Sequence, residues 1–269
     1  MATPQDYVEL RSRSSFSFLE GASNPEDLTE AAAALGVPTL AMADRNGVSG
    51  APRFHRAAKA AGIRALLGAE LTIAATTDSA LTPCPSNRIL LLVESSEGWR
   101  RLCRLLSLAH SHRDKRLEAR DPRARDRIQI QWDDLEKDAG HWSVLLRGDE
   151  NLQPMHIERA QQIFGNRLSV DVSRLLDRRM ERIARRAAAM ASSHSVQVVA
   201  TGNVRCATPR DRRLLDALIC LRERRTLETA GRILPPNGEG TLHSREEMVR
   251  RFSDQPEFIL ATRAIAERC

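Results

Sequence analysis

Residues 37–74 read VPTLAMADRNGVSGAPRFHRAAKAAGIRALLGAELTIA. The stretch opens on a short apolar run, 38–43, which predicts a strand with Asp44 at its C-terminal end. Residues 49–61 carry a helical pattern that ends at Gly62, a residue free to adopt the left-handed backbone that closes a helix. Residues 64–74 predict another strand, with Glu70 within it. Strand, helix, strand in under 40 residues points to parallel β/α units rather than to an all-helical or all-β chain.

The same alternation continues in both directions. Upstream, Tyr7, Val8 and Leu10 predict a strand over 7–11. Ser23-Asn24-Pro25-Glu26-Asp27 then supplies capping side chains, a proline near the first helical position and acids in the first turn. That helix runs to about Leu35 and stops at Gly36. Downstream, strands are predicted over 89–93, 142–146, 168–172 and 196–200, with helices over 97–110, 155–164 and 177–194 between them. Helices follow at 209–224, 244–253 and 256–268. Asp133-Asp134 reads as the start of a helical turn. Residues 111–127, SHRDKRLEARDPRARDR, carry no apolar stripe and predict an exposed basic loop outside the core. The fold class is therefore α/β, a distorted seven-stranded β/α barrel over 1–208 with a helical extension over 209–269. In such barrels chemistry sits at the C-terminal ends of the strands.

Composition narrows the class further. The chain has 269 residues, 42% hydrophobic, enough for a sizeable core. No apolar run approaches the roughly 18–20 residues of a membrane helix. The first residues lack the apolar stretch of a secretory signal. Five cysteines, at 84, 103, 206, 220 and 269, form no C-x-x-C pair, which argues against a zinc ribbon or a disulfide framework and for a reducing cytoplasm. Of 41 basic residues only Lys59, Lys115 and Lys137 are lysine, and the net charge is +6. That charge permits contact with nucleic acid without demanding it. Dinucleotide, P-loop and nucleophile-elbow glycine motifs are all missing. His110-Ser111-His112 is weak as a metal pair because it ends a helix without other ligands beside it in sequence.

Four segments carry a resemblance: YVELRSRSSFSFLEGAS (7–23), LAMADRNGVSG (40–50), LLGAEL (66–71) and VVATGNVRCATPRDRRLLDALICLRE (198–223). They resemble the PHP (polymerase and histidinol phosphatase) domain at the N-terminus of bacterial C-family DNA polymerases. NPEDLTEAAAALG, GRILPPN, SREEMVRRF and ATRAIAERC are similar to its error-prone branch. The resemblance implies a seven-stranded distorted barrel with histidines and carboxylates at the strand ends. In the family these hold a cluster of divalent metals, usually three, that activates water for phosphoester hydrolysis.

Here the ligand positions are changed. The family's first H-x-H is Arg11-Ser12-Arg13, and its next acid is Glu20. Its Asp-His is Asp44-Arg45, its Gly-x-Glu glutamate is Glu70, and its last Asp-x-His is Asn203-Val204-Arg205. A histidine that often precedes the leucine strand is Arg88. A neutral imidazole ligates a metal, whereas a guanidinium is always protonated and has no lone pair to give. Arg11, Arg13, Glu20, Asp44, Arg45, Glu70, Asn203 and Arg205 are therefore expected to be vestigial metal-site positions in one cavity. Neither metal nor cofactor is expected there. Arginine–carboxylate pairs are expected instead, with Asp44 and Glu70 as the favoured partners.

The leading expectation is a structural module of an error-prone DNA polymerase that works in replication and translesion repair. The parent family is nucleotidyltransferase, but this chain carries no candidate palm motif. DNA, a polymerase core or accessory translesion proteins are the expected partners. One alternative is a phosphoesterase or proofreading nuclease with a rearranged site using His110, His112 or His141. The other is a stand-alone nucleic-acid-binding module with steeply salt-dependent affinity.

Overall fold

The computed structural model describes residues 2–75, 86–111 and 128–269. Seven strands form one sheet in the order β1 to β7: Glu9–Ser12, Thr39–Arg45, Arg64–Ile73, Asn87–Val93, Trp142–Arg147, Leu168–Val172 and Gln197–Ala200. Ten α-helices are described: α1 (Pro25–Ala34), α2 (Ala51–Ala60), α3 (Ser96–Ser111), α4 (Trp132–Glu136), α5 (Pro154–Phe164), α6 (Arg178–Ser193), α7 (Arg212–Glu223), α8 (Leu227–Ala230), α9 (Arg245–Arg251) and α10 (Pro256–Arg268). The expected basic loop at 111–127 lies, apart from Ser111, outside the described residues.

The sheet curls into a distorted barrel. After β7 the chain returns to β1, where Val204 forms a parallel bridge with Ser12. Arg13 N donates to Val204 O and Val204 N donates to Arg11 O, both at 3.0 Å. One feature departs from the parallel β/α pattern read from the sequence: β4 runs antiparallel to both β3 and β5. A leucine run has the same pattern in either direction, so its direction is not written in its composition. The consequence matters for the site, because the start of β4 lies at the end of the barrel where its neighbours finish. Thr72 is paired with Arg88 there.

Alternation along the strands sorts side chains between two cores. On the outer face α3, α5 and α6 pack through Leu102, Leu106, Ile157, Phe164, Ala187 and Ala191 against Leu71, Leu91, Val144 and Val170. The helices α1 and α2 cover β2 through Leu28, Ala32, Phe54 and Ala58. The inner face is apolar at one end only. Leu10, Ala41, Ala43, Leu66, Leu90, Leu92, Leu145 and Val199 form a cluster with Ala261, Ile265 and Ala266 of α10. The C-terminal helix thus seals the floor of the barrel. Along the same faces, Ala43 gives way to Arg45, Leu66 to Glu70, Leu90 to Arg88, Leu145 to Arg147 and Ser169 to Asp171. The opposite end, the mouth, is charged.

Candidate functional site

Strand β1 reaches the mouth through a bulge. It advances from Glu9 to Ser12 while β2 advances only from Leu40 to Met42. The extra residue lets Leu10 join the apolar floor while Arg11 turns its guanidinium toward the charged end. Arg11 Nη2 and Nε donate to Glu70 Oε2 at 2.7 and 3.2 Å, and Nη1 donates to Asp171 Oδ2 at 2.5 Å. Glu70 also accepts from Arg88 Nη1 at 2.9 Å, with Arg13 and Arg147 each 3.9 Å away.

Glu20 is the second hub. It sits in the loop after β1, one residue past Leu19, which holds a left-handed φ of 63°. Its carboxylate accepts from both Nη atoms of Arg88 at 2.9 and 3.0 Å, from Arg222 Nη1 at 3.0 Å, from Arg13 Nη1 at 3.4 Å and from Arg45 Nη1. Its backbone oxygen accepts from Arg205 Nε at 2.9 Å. Asn203, itself left-handed with φ 49°, accepts from Arg13 Nη2. Arg11, Arg13, Glu20 and Glu70 are all buried, at most 3% exposed. Such charges are tolerated only when paired with good geometry.

Burial pushes the Glu20 and Glu70 carboxyls up. The guanidiniums outweigh it: Arg88, Arg45 and Arg13 around Glu20, and Arg11, Arg13 and Arg88 around Glu70. Both acids are held well below the usual carboxylate range. The cations divide into two groups. For Arg11 and Arg88 the adjacent carboxylates overcome burial and raise the pKa. For Arg13 burial wins, with Arg11 and Arg147 adding repulsion, and its pKa falls to about 9. Arg205 falls to about 10 by burial and repulsion from Arg222 and Arg147. All remain cations at neutral pH.

Asp44 corrects an expectation. Among the described residues no arginine forms an ion pair with it. Its Oδ1 accepts from Ser14 N and Ser17 Oγ, both at 2.7 Å, and its Oδ2 accepts from Ser14 Oγ at 2.8 Å. Asp44 therefore anchors the serine loop after β1, and burial raises its pKa against these hydrogen bonds. The arginines are partnered instead by Glu20, Glu70 and Asp171. Asp171, Arg147 and Arg222 were not singled out in the sequence. The first two stand at strand C-terminal ends on the inner-face parity, a signal that was present. Arg222 comes from α7, distant in sequence, and had no local signal.

Beneath the cluster Glu9 accepts from Tyr7 Oη at 2.5 Å, Arg11 N at 2.8 Å and Gly202 N at 2.8 Å. A Cβ on Gly202 would stand 2.5 Å from Glu9 Oε2, so only glycine brings its amide this close. Burial raises Glu9 to about 7 despite these donors.

The histidines do not gather here. His110 Nε2 lies 2.6 Å from Asn46 O at the mouth, while His141 precedes β5 at the floor end. His112 lies outside the described residues. Asp133 pairs with Arg159, and Asp134 accepts from Gln131 N at 2.8 Å to cap α4. Among the described residues no group of three or more His, Cys, Asp or Glu is placed to hold a metal ion, and no helix is long and apolar enough to cross a membrane.

The chain is 36% identical to an error-prone DNA polymerase of Anaeromyxobacter sp. (strain K) over 98% of its own length and 22% of the relative's. It is 34% identical to an error-prone DNA polymerase of Mycobacterium tuberculosis (strain ATCC 25618 / H37Rv), covering 98% of this chain and 24% of that one. It thus spans about a quarter of the length of these relatives. Its fold is similar to that of an amidohydrolase from Chromobacterium violaceum, with TM-score 0.53 and 16% identity over 74% of this chain and 88% of the other. It is also similar to a protein assigned as a metal-dependent phosphoesterase from Bifidobacterium adolescentis, with TM-score 0.50 and 16% identity over 73% and 86%. Residues 9–175 match the PHP domain family. A barrel whose inner face changes from leucine floor to charged mouth, together with that match across more than half of its length, makes this chain a member of the PHP domain family.

Proposed function

We propose that this chain is the PHP module of an error-prone DNA polymerase in which arginine–carboxylate pairing has replaced metal ligation. Its role is structural: it supports a polymerase core, with DNA as the larger partner. The observation that carries this reading is the state of Glu20 and Glu70. Each carboxylate, the natural ligand of a divalent ion, is engaged by guanidiniums from several elements. A metal entering there would displace those pairs and face cations at the positions where the family offers imidazoles. The donor set does not fit the family's metals, and no hydrolytic step is derived through them. Arg11, Arg13, Glu20, Asp44, Arg45, Glu70, Asn203 and Arg205 are, on this reading, relics of a metal site. The pairs tie β1, β3, β4, β6 and α7 into one mouth, as a metal cluster would.

The test is metal analysis of the purified chain after exposure to manganese or zinc, alongside a phosphomonoesterase and 3′-exonuclease assay. The reading expects no metal retained in stoichiometric amount and no hydrolysis above a buffer control. Stoichiometric metal, with hydrolysis abolished by chelation, would establish the phosphoesterase alternative.

A further inference from the structure

Helix α7 is apolar on two sides. Leu215, Ile219 and Cys220 are buried against the body of the protein. Leu214 and Leu221 point the other way, 51% and 60% exposed, with Ala217 exposed and Leu218 half-buried between them. These four fall at i, i+3, i+4 and i+7, so they make one unbroken apolar edge along the outside of the helix. At roughly 1.5 Å per residue the edge is about 10 Å long. Single leucines scattered over a surface are ordinary, whereas an aligned row marks a contact.

The ends of this edge are basic. Arg210 and Arg213 stand at its N-terminal end and Arg225 just past its C-terminal end. All three are exposed, and among the described residues their side chains have no partner. The acids of the same stretch are mostly taken. Asp211 accepts from Ser23 Oγ at 2.9 Å, Asp216 from Arg212 Nε at 2.7 Å and Glu223 from Arg222 Nε at 2.9 Å. Of the acids in 209–230, Glu228 alone is exposed and without a partner among the described residues. Three free guanidiniums around a leucine edge favour an occupant that is apolar along one line and acidic beside it. Charge argues against a second copy, because a symmetric pair would bring the same arginines together. Duplex DNA would use the arginines, through its phosphates, and leave the leucines unused.

We propose that the outer edge of α7 docks an amphipathic helix of a partner protein, its apolar line on Leu214, Leu218 and Leu221 and its flanking carboxylates on Arg210, Arg213 and Arg225. A helix suits the edge because a row at i, i+4 and i+7 fits the groove between the matching rows of another helix. The contact uses neither the ion pairs of the mouth nor its metal state, so it stands or falls apart from the structural reading above.

Fluorescence anisotropy of a labelled synthetic peptide titrated with the chain tests this. The probe is a helix-forming peptide of about three heptads, with leucine at both apolar positions and glutamate at both flanking positions. It is expected to bind about tenfold or more tighter than a peptide with lysine flanks, and than one with serine in place of leucine. Leu214→Ser combined with Leu221→Ser should weaken the glutamate peptide by about tenfold or more. Both side chains are exposed, so the thermal midpoint should not fall. Arg210→Glu combined with Arg213→Glu should narrow the preference for glutamate over lysine flanks by about tenfold or more. Equal binding of the two peptides would overturn the charge match. Unchanged binding by the leucine variant, or no binding of the glutamate peptide at about 1 mM, the range of very weak complexes, would overturn the docking edge. A dimer of the chain that the leucine variant dissolves would make the edge a contact between copies instead. Duplex DNA that binds through Arg210 and Arg213, and that the glutamate peptide fails to displace, would make it a nucleic-acid surface. Either result would overturn the proposal.

Discussion

At the floor of the barrel Leu66, Leu90, Leu92 and Leu145 meet Ile265 and Ala266 of the last helix. At the mouth the same strands present Glu70, Arg88 and Arg147. The floor gains from every apolar contact and needs no particular partner. The mouth gains only when each charge finds its geometry, because desolvating a charge costs several kcal/mol before any pairing returns it. Volume-conserving exchanges should therefore be forgiven at the floor, and charge-deleting exchanges should not be forgiven at the mouth.

The largest expected effect is at the hubs. Glu20→Gln or Glu70→Gln strands buried guanidiniums and should cost about 3–5 kcal/mol in urea unfolding. The pH dependence gives the sign. Both carboxyls sit below the ordinary 4.5 in the folded chain, so their contribution is complete above about pH 4.5 and is lost as pH falls toward the native values. The gap between each variant and the parent should therefore narrow below pH 4.5. A gap that persists unchanged into acid would break the pairing account.

Next comes the floor. Leu92→Ala should cost about 3 kcal/mol through lost burial and a residual cavity, while Leu92→Met should cost under about 1.5 kcal/mol. Equal losses for the two would mean that the floor is as exacting as the mouth. The smallest effect is expected at the edge of the cluster. Arg222 is about a quarter exposed and joins α7 to Glu20, so Arg222→Gln should cost about 1 kcal/mol. A loss as large as that of Glu20→Gln would make α7 part of the mouth's foundation rather than its rim.

How much of this was legible in the sequence follows the same division. The strands of the floor were, because 38–43 and 89–93 are short apolar runs, but which of their side chains face the inside of the barrel was not, since a continuous run such as ILLLV shows no alternation. The positions of Arg11, Arg13, Glu20, Arg45 and Glu70 were, because each lies after or within a readable strand. Their partners were not. Asp44 looked like an arginine's carboxylate, yet the serines of RSRSSFS were nearer and took it. Arg88 belongs to the mouth only because β4 runs antiparallel, and a run such as ILLLV (89–93) carries no direction. Arg222 reaches Glu20 across 202 residues of chain, a contact that topology creates.

The central claim is that pairing, not metal, holds the mouth together. The most direct test is the thermal midpoint of the parent chain and of Glu70→Gln, each measured in chelator and in excess manganese. The account predicts no rise of the parent midpoint with manganese and the same drop on substitution in both buffers. A site filled at about 100 times its Kd would add roughly 2.7 kcal/mol. A parent midpoint that climbs with manganese, by an amount that Glu70→Gln abolishes, would contradict it.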